Sequence, residues 1–239
     1  MIPRKNRRVL LKLSGEVLMG KQGYGIDAKT IKRIAGEICK VSQSSIRISI
    51  VIGGGNIFRG LAGAASGMNR VVADHMGMLA TMMNAMALRE ALLAQGTKAS
   101  VLSALAVEGM CERYSNRRAL ECFDSGDVVI FSAGTGNPFF TTDTAAVLRG
   151  IEIGCDVVMK ATKVDGIYST DPATDPSAKR YDRLSYDDIL TRKLDVMDAT
   201  AIALARDNAM PIVVFSIQRS GALKEAIEGR GQFTTVVNE

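Results

Sequence analysis

The sequence has little of the chemistry that many metalloenzymes and hydrolases use. Its 239 residues include one histidine, His75, and four cysteines with no Cys-x-x-Cys pair. A single histidine does not support a histidine-rich metal site or a histidine-based catalytic triad. Scattered cysteines favour a reducing compartment over a metal or redox role. We therefore expect a cytoplasmic protein without a dedicated metal site.

Long apolar runs are also missing. Lys12 interrupts the apolar stretch at residues 9–11, and no window approaches the roughly 20 apolar residues that a membrane-spanning helix needs. The net charge of +5 comes largely from basic residues among the first eight. Because no later run of Lys and Arg alternates with aromatic residues, we predict neither a membrane partner nor a nucleic-acid partner.

Two common phosphate-binding motifs are absent as well. The chain contains neither Gly-x-x-x-x-Gly-Lys-Ser/Thr nor a Gly-x-Gly-x-x-Gly that opens a helix after the first strand. Any phosphate site in this protein must therefore use another architecture.

What is present is an alternation of two patterns. Short β-branched or leucine-rich runs predict strands at residues 8–13, 47–52, 98–102, 128–132, 156–159 and 211–215. Helical patterns predict helices at residues 29–40, 72–93, 142–153 and 198–208. The alternation indicates an α/β fold with a mostly parallel sheet covered on both faces. The polar residues 169–183 are interpreted as an irregular excursion within one domain.

Unusual residues follow four of the predicted strands. The strand ends carry residues 12–15 (KLSG), 53–56 (GGGN), 133–137 (AGTGN) and 160–163 (KATK). Ligands in α/β folds bind beyond the carboxyl ends of strands, so these residues predict a phosphate-rich ligand. The triple glycine suits an anion nest or, alternatively, a tight turn. Lys12 and Lys163 are either phosphate-binding groups or ordinary surface lysines.

The stretch 135–143 (TGNPFFTTD) is the most informative motif. Gly136, Asn137 and Pro138 break regular structure, and two phenylalanines and two threonines lead into a predicted helix. A helix N-terminus favours an anion, which supports a binding loop. The alternative is a capped helix with two buried phenylalanines. Asp143 either orients the lysines or is a carboxylate stabilised by the helix dipole.

Assembled in order, these motifs resemble the bacterial uridylate kinases of the amino acid kinase superfamily. The resemblance covers nearly the whole chain and is most specific at residues 135–142 and 53–55. It implies a three-layer αβα sandwich in a single domain, residues 1–239, with an acceptor lobe at about 1–150 and an ATP lobe at about 151–239. It also implies a homohexamer that transfers the ATP γ-phosphoryl group to UMP in pyrimidine nucleotide biosynthesis. Mg²⁺ is expected to accompany ATP, and UTP is expected to inhibit the enzyme.

The resemblance also assigns residues. Implied ATP contacts are Lys12, Leu13, Ser14, Gly15, Gly55, Arg59, Thr162, Tyr168 and Asp171. Implied UMP contacts are Gly54, Asp74, Thr135, Gly136, Asn137, Pro138, Phe139, Phe140, Thr141 and Thr142. The implied catalytic group is Lys12 and Lys163, organised by Asp143. Family members that GTP activates use a segment that resembles Gly20, Lys21, Gln22, Gly23, Tyr24 and Gly25 of this chain. Residues 123–127 are acidic here where some relatives are basic, so the resemblance leaves GTP activation open.

Two other functions compete with this interpretation. A non-catalytic nucleotide-binding protein would keep the glycine turns, but it has no use for both lysines together with Asp143. A sibling kinase acting on a carbamate or an amino acid carboxylate would lack the loop at 135–142.

Overall fold

The computed structural model describes residues 7–59, 67–194 and 196–238. The strands of this part of the chain are β1 (Arg8–Leu13), β2 (Arg47–Ile52), β3 (Ala99–Ser103), β4 (Glu112–Arg113), β5 (Val128–Ser132), β6 (Val157–Thr162), β7 (Ile167–Tyr168), β8 (Arg180–Tyr181), β9 (Arg183–Ser185), β10 (Ile212–Ser216) and β11 (Phe233–Val237). The α-helices are α1 (Ala28–Ser42), α2 (Arg70–Leu93), α3 (Asn116–Asp124), α4 (Thr142–Glu152), α5 (Tyr186–Arg192), α6 (Ala199–Asp207) and α7 (Ala222–Ile227). A short 3₁₀ helix spans Gly15–Met19.

Among the described residues, nine strands form one central sheet in the order β4-β3-β5-β2-β1-β6-β10-β11-β9. Neighbouring strands are parallel except for the antiparallel pair β10 and β11. Strands β7 and β8 form a separate antiparallel pair. The predicted mostly parallel sheet is confirmed.

Helices cover both faces of this sheet. Along β1, Val9 and Leu11 pack in a core layer with α1, α2 and α7, whereas Leu10 packs in a second layer with α4 and α6. Because successive strand residues point to opposite faces, a strand buried on both sides is apolar throughout, which is why it reads as a continuous hydrophobic run. The layers form the αβα sandwich of the predicted fold class.

The predicted elements agree with the structure to within a few residues. Strands β1, β2 and β5 have the predicted bounds, and the other three predicted strands and all four predicted helices are present with shifted ends. Helices α3, α5 and α7 were not predicted. Each spans nine residues or fewer, too short for a strong helical period. The excursion at residues 169–183 contains β8, which was also missed.

No helix in the described ranges is both long and apolar enough to cross a lipid bilayer. The four cysteines are free thiols, three of them buried. The division into lobes near residue 150 remains a prediction.

Candidate active site

Two lysines lie side by side on the central strands. Lys12 of β1 and Lys160 of β6 are register partners in parallel strands, so their side chains leave the sheet on the same face. The Lys12 side chain is almost completely buried, and that of Lys160 is largely buried. Two ammonium groups in such a setting need an anion nearby.

Asp143, in the first turn of α4, supplies that anion. Its Oδ1 lies 2.6 Å from the Nζ of Lys12, and its Oδ2 accepts a hydrogen bond from the Nζ of Lys160 at 2.8 Å. Lys160 also donates to the carbonyl oxygen of Val196. Burial acts to raise the pKa of Asp143, but the charges of Lys12 and Lys160 outweigh burial and hold this pKa below its usual value. Asp143 is therefore a carboxylate at neutral pH.

The structure corrects one sequence-based expectation at this point. Asp143 was expected to organise Lys12 and Lys163, but it contacts Lys12 and Lys160. Lys163 lies one residue beyond β6 and pairs instead with Glu16, with its Nζ 3.6 Å from Oε2. The reason is strand geometry, since Lys160 lies within β6 on the face toward α4, whereas Lys163 lies beyond the end of the strand. Glu16 also pairs with Arg59.

Lys12 and Lys160 line a large cavity of about 750 Å³, which we call the donor cavity. Five of the residues expected to contact ATP line it, namely Lys12, Ser14, Thr162, Tyr168 and Asp171, and so does Lys163, which was expected to be catalytic. The cavity is rich in cationic side chains, since Lys160, Arg192 and Lys193 line it as well. Leu13, Gly15, Gly55 and Arg59 were also expected here but do not line it; Leu13 is buried in the core.

A second cavity, the acceptor cavity, is smaller, at about 140 Å³. Six residues of the expected UMP site line it, namely Gly54, Asp74, Thr135, Phe140, Thr141 and Thr142. Gly136, Asn137, Pro138 and Phe139 belong to the same loop but do not line the cavity. Among its described lining residues the only charged side chain is that of Asp74. Thr142 lines this cavity, and the next residue, Asp143, contacts Lys12 and Lys160, which line the donor cavity.

The loop between β5 and α4 has an unusual backbone. Ala133, Gly134, Gly136 and Phe139 all have positive φ angles. For Phe139, with φ of 71°, this conformation costs about 1–2 kcal/mol. The phenylalanine side chains are exposed, Phe139 at 65% and Phe140 at 48%. The interpretation of a helix start with two buried phenylalanines is therefore wrong, although Thr141 does cap α4.

Two glycines permit close approach of the strand ends. A Cβ on Gly15 would lie 2.7 Å from the carbonyl oxygen of Gly53, and a Cβ on Gly54 would lie 2.8 Å from that of Gly77. Neither position shows a positive φ, so the requirement is space rather than backbone conformation. The triple glycine therefore brings the end of β2 against both β1 and α2.

A buried pair of asparagines supports this turn. Asn84 of α2 donates to the carbonyl oxygen of Gly53 at 2.7 Å and exchanges two hydrogen bonds with Asn56. Asn56 also donates to the carbonyl oxygen of Gly25, whose N–H donates back to the carbonyl of Asn56. The segment at residues 20–25, the expected GTP segment, is thereby tied to the turn between the two cavities. Its Tyr24 side chain is exposed.

Asp198 fixes the C-terminal end of the loop at residues 135–142, which we call the acceptor loop. It accepts hydrogen bonds from the hydroxyls of Thr141 and Thr144 and caps α6 through the N–H of Ala201. The acceptor loop and α4 are thus fixed to the segment at residues 196–198. The carbonyl oxygen of Val196 in this segment accepts the hydrogen bond from Lys160.

Glu16, Asn84 and Asp198 were not found from the sequence, because their partners are distant along the chain. Asn56 and Lys160 lie in strand ends that the sequence singled out, but neither was given a role of its own. Lys160 had a further usable signal, a lysine inside an otherwise apolar buried strand (VVMKAT). No group of three or more metal-ligating side chains lies within the described residues.

Two ammonium groups held by a carboxylate beside a cavity lined by further cations suit the transfer of a phosphoryl group. The model of the amino acid kinase family matches residues 7–216. The chain belongs to the amino acid kinase family, as the sequence motifs predict.

Individual relatives agree. The chain is 54% identical over 235 residues to the uridylate kinase of Paramagnetospirillum magneticum, covering 98% of each. Among solved structures, it resembles the UMP kinase of Bacillus anthracis with a TM-score of 0.93 and 37% identity, over 99% of this chain and 98% of that one. The UMP kinase of Ureaplasma parvum gives a TM-score of 0.92 and 36% identity, over 99% and 100% of the two chains.

Proposed function

We propose that this protein is a UMP kinase that transfers the γ-phosphoryl group of ATP directly to the phosphate of UMP, giving ADP and UDP for pyrimidine nucleotide synthesis. The observation that carries the proposal is the Lys12–Asp143–Lys160 cluster: its two lysines line the donor cavity, and Asp143 directly follows Thr142, which lines the acceptor cavity. Direct transfer needs donor and acceptor side by side, and this link between the two sets of lining residues supports such an arrangement.

In this mechanism an oxygen of the UMP phosphate attacks the γ-phosphorus as the bond to the β–γ bridging oxygen breaks. Lys12 and Lys160 neutralise charge on the transferring group and the leaving ADP, and Lys163 binds donor phosphate nearer the cavity mouth. Asp143 stays ionised and holds the two ammonium groups in place. Because the acceptor is a phosphate oxygen with little proton affinity, the residues need to position and neutralise rather than to remove a proton.

Mg²⁺ fits this site as a companion of ATP. When bound it neutralises the β- and γ-phosphates, and such ions keep several waters and take one or two carboxylates besides phosphates. The donor cavity offers Glu16 and Asp171 for this purpose. Glu16 is paired with Lys163 and Arg59, two cations that suit phosphate oxygens, so bound phosphate can release the carboxylate.

The choice of acceptor rests on the loop at residues 135–142. Its hydroxyls and Asp74 line a cavity without lysine or arginine among the described lining residues, which suits a nucleoside better than a small carboxylate or carbamate. A coupled assay of ADP release with UMP, CMP, carbamate and N-acetylglutamate tests this. We expect turnover with UMP well above the others. Turnover only with carbamate or N-acetylglutamate would indicate a sibling kinase, and none at all a binding protein.

UTP is proposed to inhibit by occupying the acceptor cavity. Inhibition should then be competitive with UMP, and non-competitive inhibition would contradict a shared site. GTP is proposed to act, if it activates, at residues 20–25 through the Asn56 contact. Activation by GTP that Tyr24→Ala abolishes would support this location.

A homohexamer is proposed as the assembly, in the cytoplasm. Exposed apolar side chains follow one face of α2 at spacings of four and three residues, namely Val72, Met76, Leu79, Met83 and Met86. That spacing suits packing against a helix of a second copy. Size measurement by sedimentation should give a multiple of the 25.6 kDa chain mass. Leu79→Glu with Met83→Glu should reduce it, and an unchanged size would exclude this face.

A further inference from the structure

Asp74, the expected ribose ligand, is already engaged in this structure. Its Oδ2 accepts the backbone N–H of Phe139 at 2.8 Å, which ties the middle of the acceptor loop to α2. Arg70, one helical turn earlier, donates its Nε to both carboxylate oxygens, at 3.0 and 2.8 Å. Because a carboxylate has about four acceptor positions, Oδ1 can still receive a hydroxyl.

Arg70 makes a second contact with the same loop. Its guanidinium carbon lies 5.4 Å from the centre of the Phe139 ring, within the range of a cation–π interaction. Phe139 is exposed and has a positive φ, a conformation that a non-glycine residue keeps only when its surroundings hold it. The N–H bond to Asp74 and the Arg70 stack are contacts that can hold it. They also explain why an exposed ring stands at this position.

The two ends of the loop are fixed separately. Thr135 and Asn137 form a local turn, and Thr141 is bonded to Asp198. Phe139 lies between these two fixed ends. Its contacts with Asp74 and Arg70 therefore fix the position of the middle of the loop relative to the acceptor cavity.

We propose that Arg70 is a positioning residue for the acceptor nucleotide: it orients Asp74 toward the ribose and, by stacking on Phe139, holds the loop in its receiving conformation. The inference rests on the proposed function, because it concerns the same acceptor site. Arg70 itself contacts no reacting atom in this scheme. It should therefore affect UMP binding and leave the chemical step unchanged.

The test measures UMP binding directly. Calorimetric titration of the full chain measures UMP and ATP affinity without altering any lining residue of the acceptor cavity. Arg70→Gln should weaken UMP binding about tenfold and change ATP affinity less than about twofold. Arg70→Lys, which keeps the charge but loses the planar stack, should fall between. In otherwise wild-type protein, KM for UMP should rise while kcat at saturating UMP stays constant.

The control is Arg117→Gln. Arg117 forms an exposed i,i+4 pair with Glu121 in α3, so its loss matches the loss of a helical ion pair without touching the acceptor loop. Both UMP affinity and ATP affinity should be unchanged in this variant. An equal loss in the control would show that the effect of Arg70 is a general one on helix stability.

Phe139 provides a second, independent test. With Phe139→Ala the ring is absent, so adding Arg70→Gln should cost less than about threefold. Phe139→Gly should bind UMP more tightly than Phe139→Ala, because glycine adopts the positive φ without strain. Additive effects of Arg70 and Phe139, or an equal fall in kcat, would overturn the positioning role.

Failure of the inference and failure of the function are distinguishable. Wild-type protein that binds no UMP by calorimetry overturns the proposed function and the role of Arg70 with it. Normal UMP binding that Arg70→Gln leaves unchanged overturns the role of Arg70 alone.

Discussion

The donor and acceptor cavities lie at the same edge of one sheet but differ in chemistry. The donor cavity is about five times larger and carries Lys12, Lys160 and Lys163, whereas the described lining of the acceptor cavity has one charged group, Asp74. The donor side can neutralise a triphosphate, and the acceptor side can recognise a nucleoside through hydroxyls and backbone. Cationic groups are thus concentrated on the donor side and neutral hydrogen-bonding groups on the acceptor side, and the adjacent residues Thr142 and Asp143 link the acceptor lining to the donor lysines.

Asp143→Asn should produce the largest effect. An amide cannot balance two buried ammonium groups, so kcat should fall about 10³-fold and the free energy of unfolding by about 3 kcal/mol. UMP binding, measured by calorimetry on folded protein, should change little. A large loss of UMP affinity would show that the two halves are not separable at this residue.

Lys160→Ala and Lys163→Ala compare two lysines of the donor side. Lys160 is largely buried, where a charge is poorly screened, whereas Lys163 is half exposed. We expect kcat to fall about 10²- to 10³-fold for Lys160→Ala. Lys163→Ala should mainly raise KM for ATP, by about tenfold. The reverse order would restore Lys163 beside Lys12 as a transition-state residue, as the family resemblance implies.

Gly54→Ala should disturb the acceptor side without any change in charge. The new Cβ would lie 2.8 Å from the carbonyl oxygen of Gly77, so overpacking should cost about 1–3 kcal/mol and raise KM for UMP. Gly55→Ala is the matched control, because its Cβ would meet its nearest neighbour, Arg59, at 3.8 Å. Thermal unfolding of the two variants decides the point. Equal losses would mean that the spacing at Gly54 is not limiting.

Salt concentration should change KM for ATP more than KM for UMP, and this is the smallest of the expected effects. Raising NaCl from about 0.05 to about 0.3 M screens exposed charges, so KM for ATP should rise by about two- to fivefold. KM for UMP should change less, because the acceptor cavity has no cation among its described lining residues. Initial rates at several salt concentrations measure both constants. Equal sensitivity would indicate that cations outside the cavity bind UMP.

The fold was predictable from the sequence because its signals are local. Runs such as residues 128–132 (VVIFS) are apolar on both faces except for the final serine, and that pattern predicts a buried parallel strand whatever its neighbours are. The short helices and the pair β7 and β8 were missed, because two to nine residues carry too little periodicity. Helix α5, for example, has a capping box, but only seven residues.

The site was predictable only where its signal lies within one segment. The loop at residues 135–142, Lys12 and the triple glycine stand out by composition. Lys160 stands out as a lysine in an apolar strand, but its partner could not be predicted, and Asp198 has no local signal, because their contacts are with residues 17 and 57 positions away. Sequence also placed the phenylalanines correctly in the loop but left their role open.

Residue type and local spacing were enough to predict the family and the parallel sheet, which are confirmed, and phosphate binding at the strand ends, which stays a prediction. Only the tertiary structure decided which lysine Asp143 holds and what Asp74 contacts. The physical reason is register: Lys12 and Lys160 become neighbours because β1 pairs with β6, and no local pattern specifies that pairing. Lys163, three residues further on, lies beyond the end of β6 and forms an ion pair with Glu16 instead.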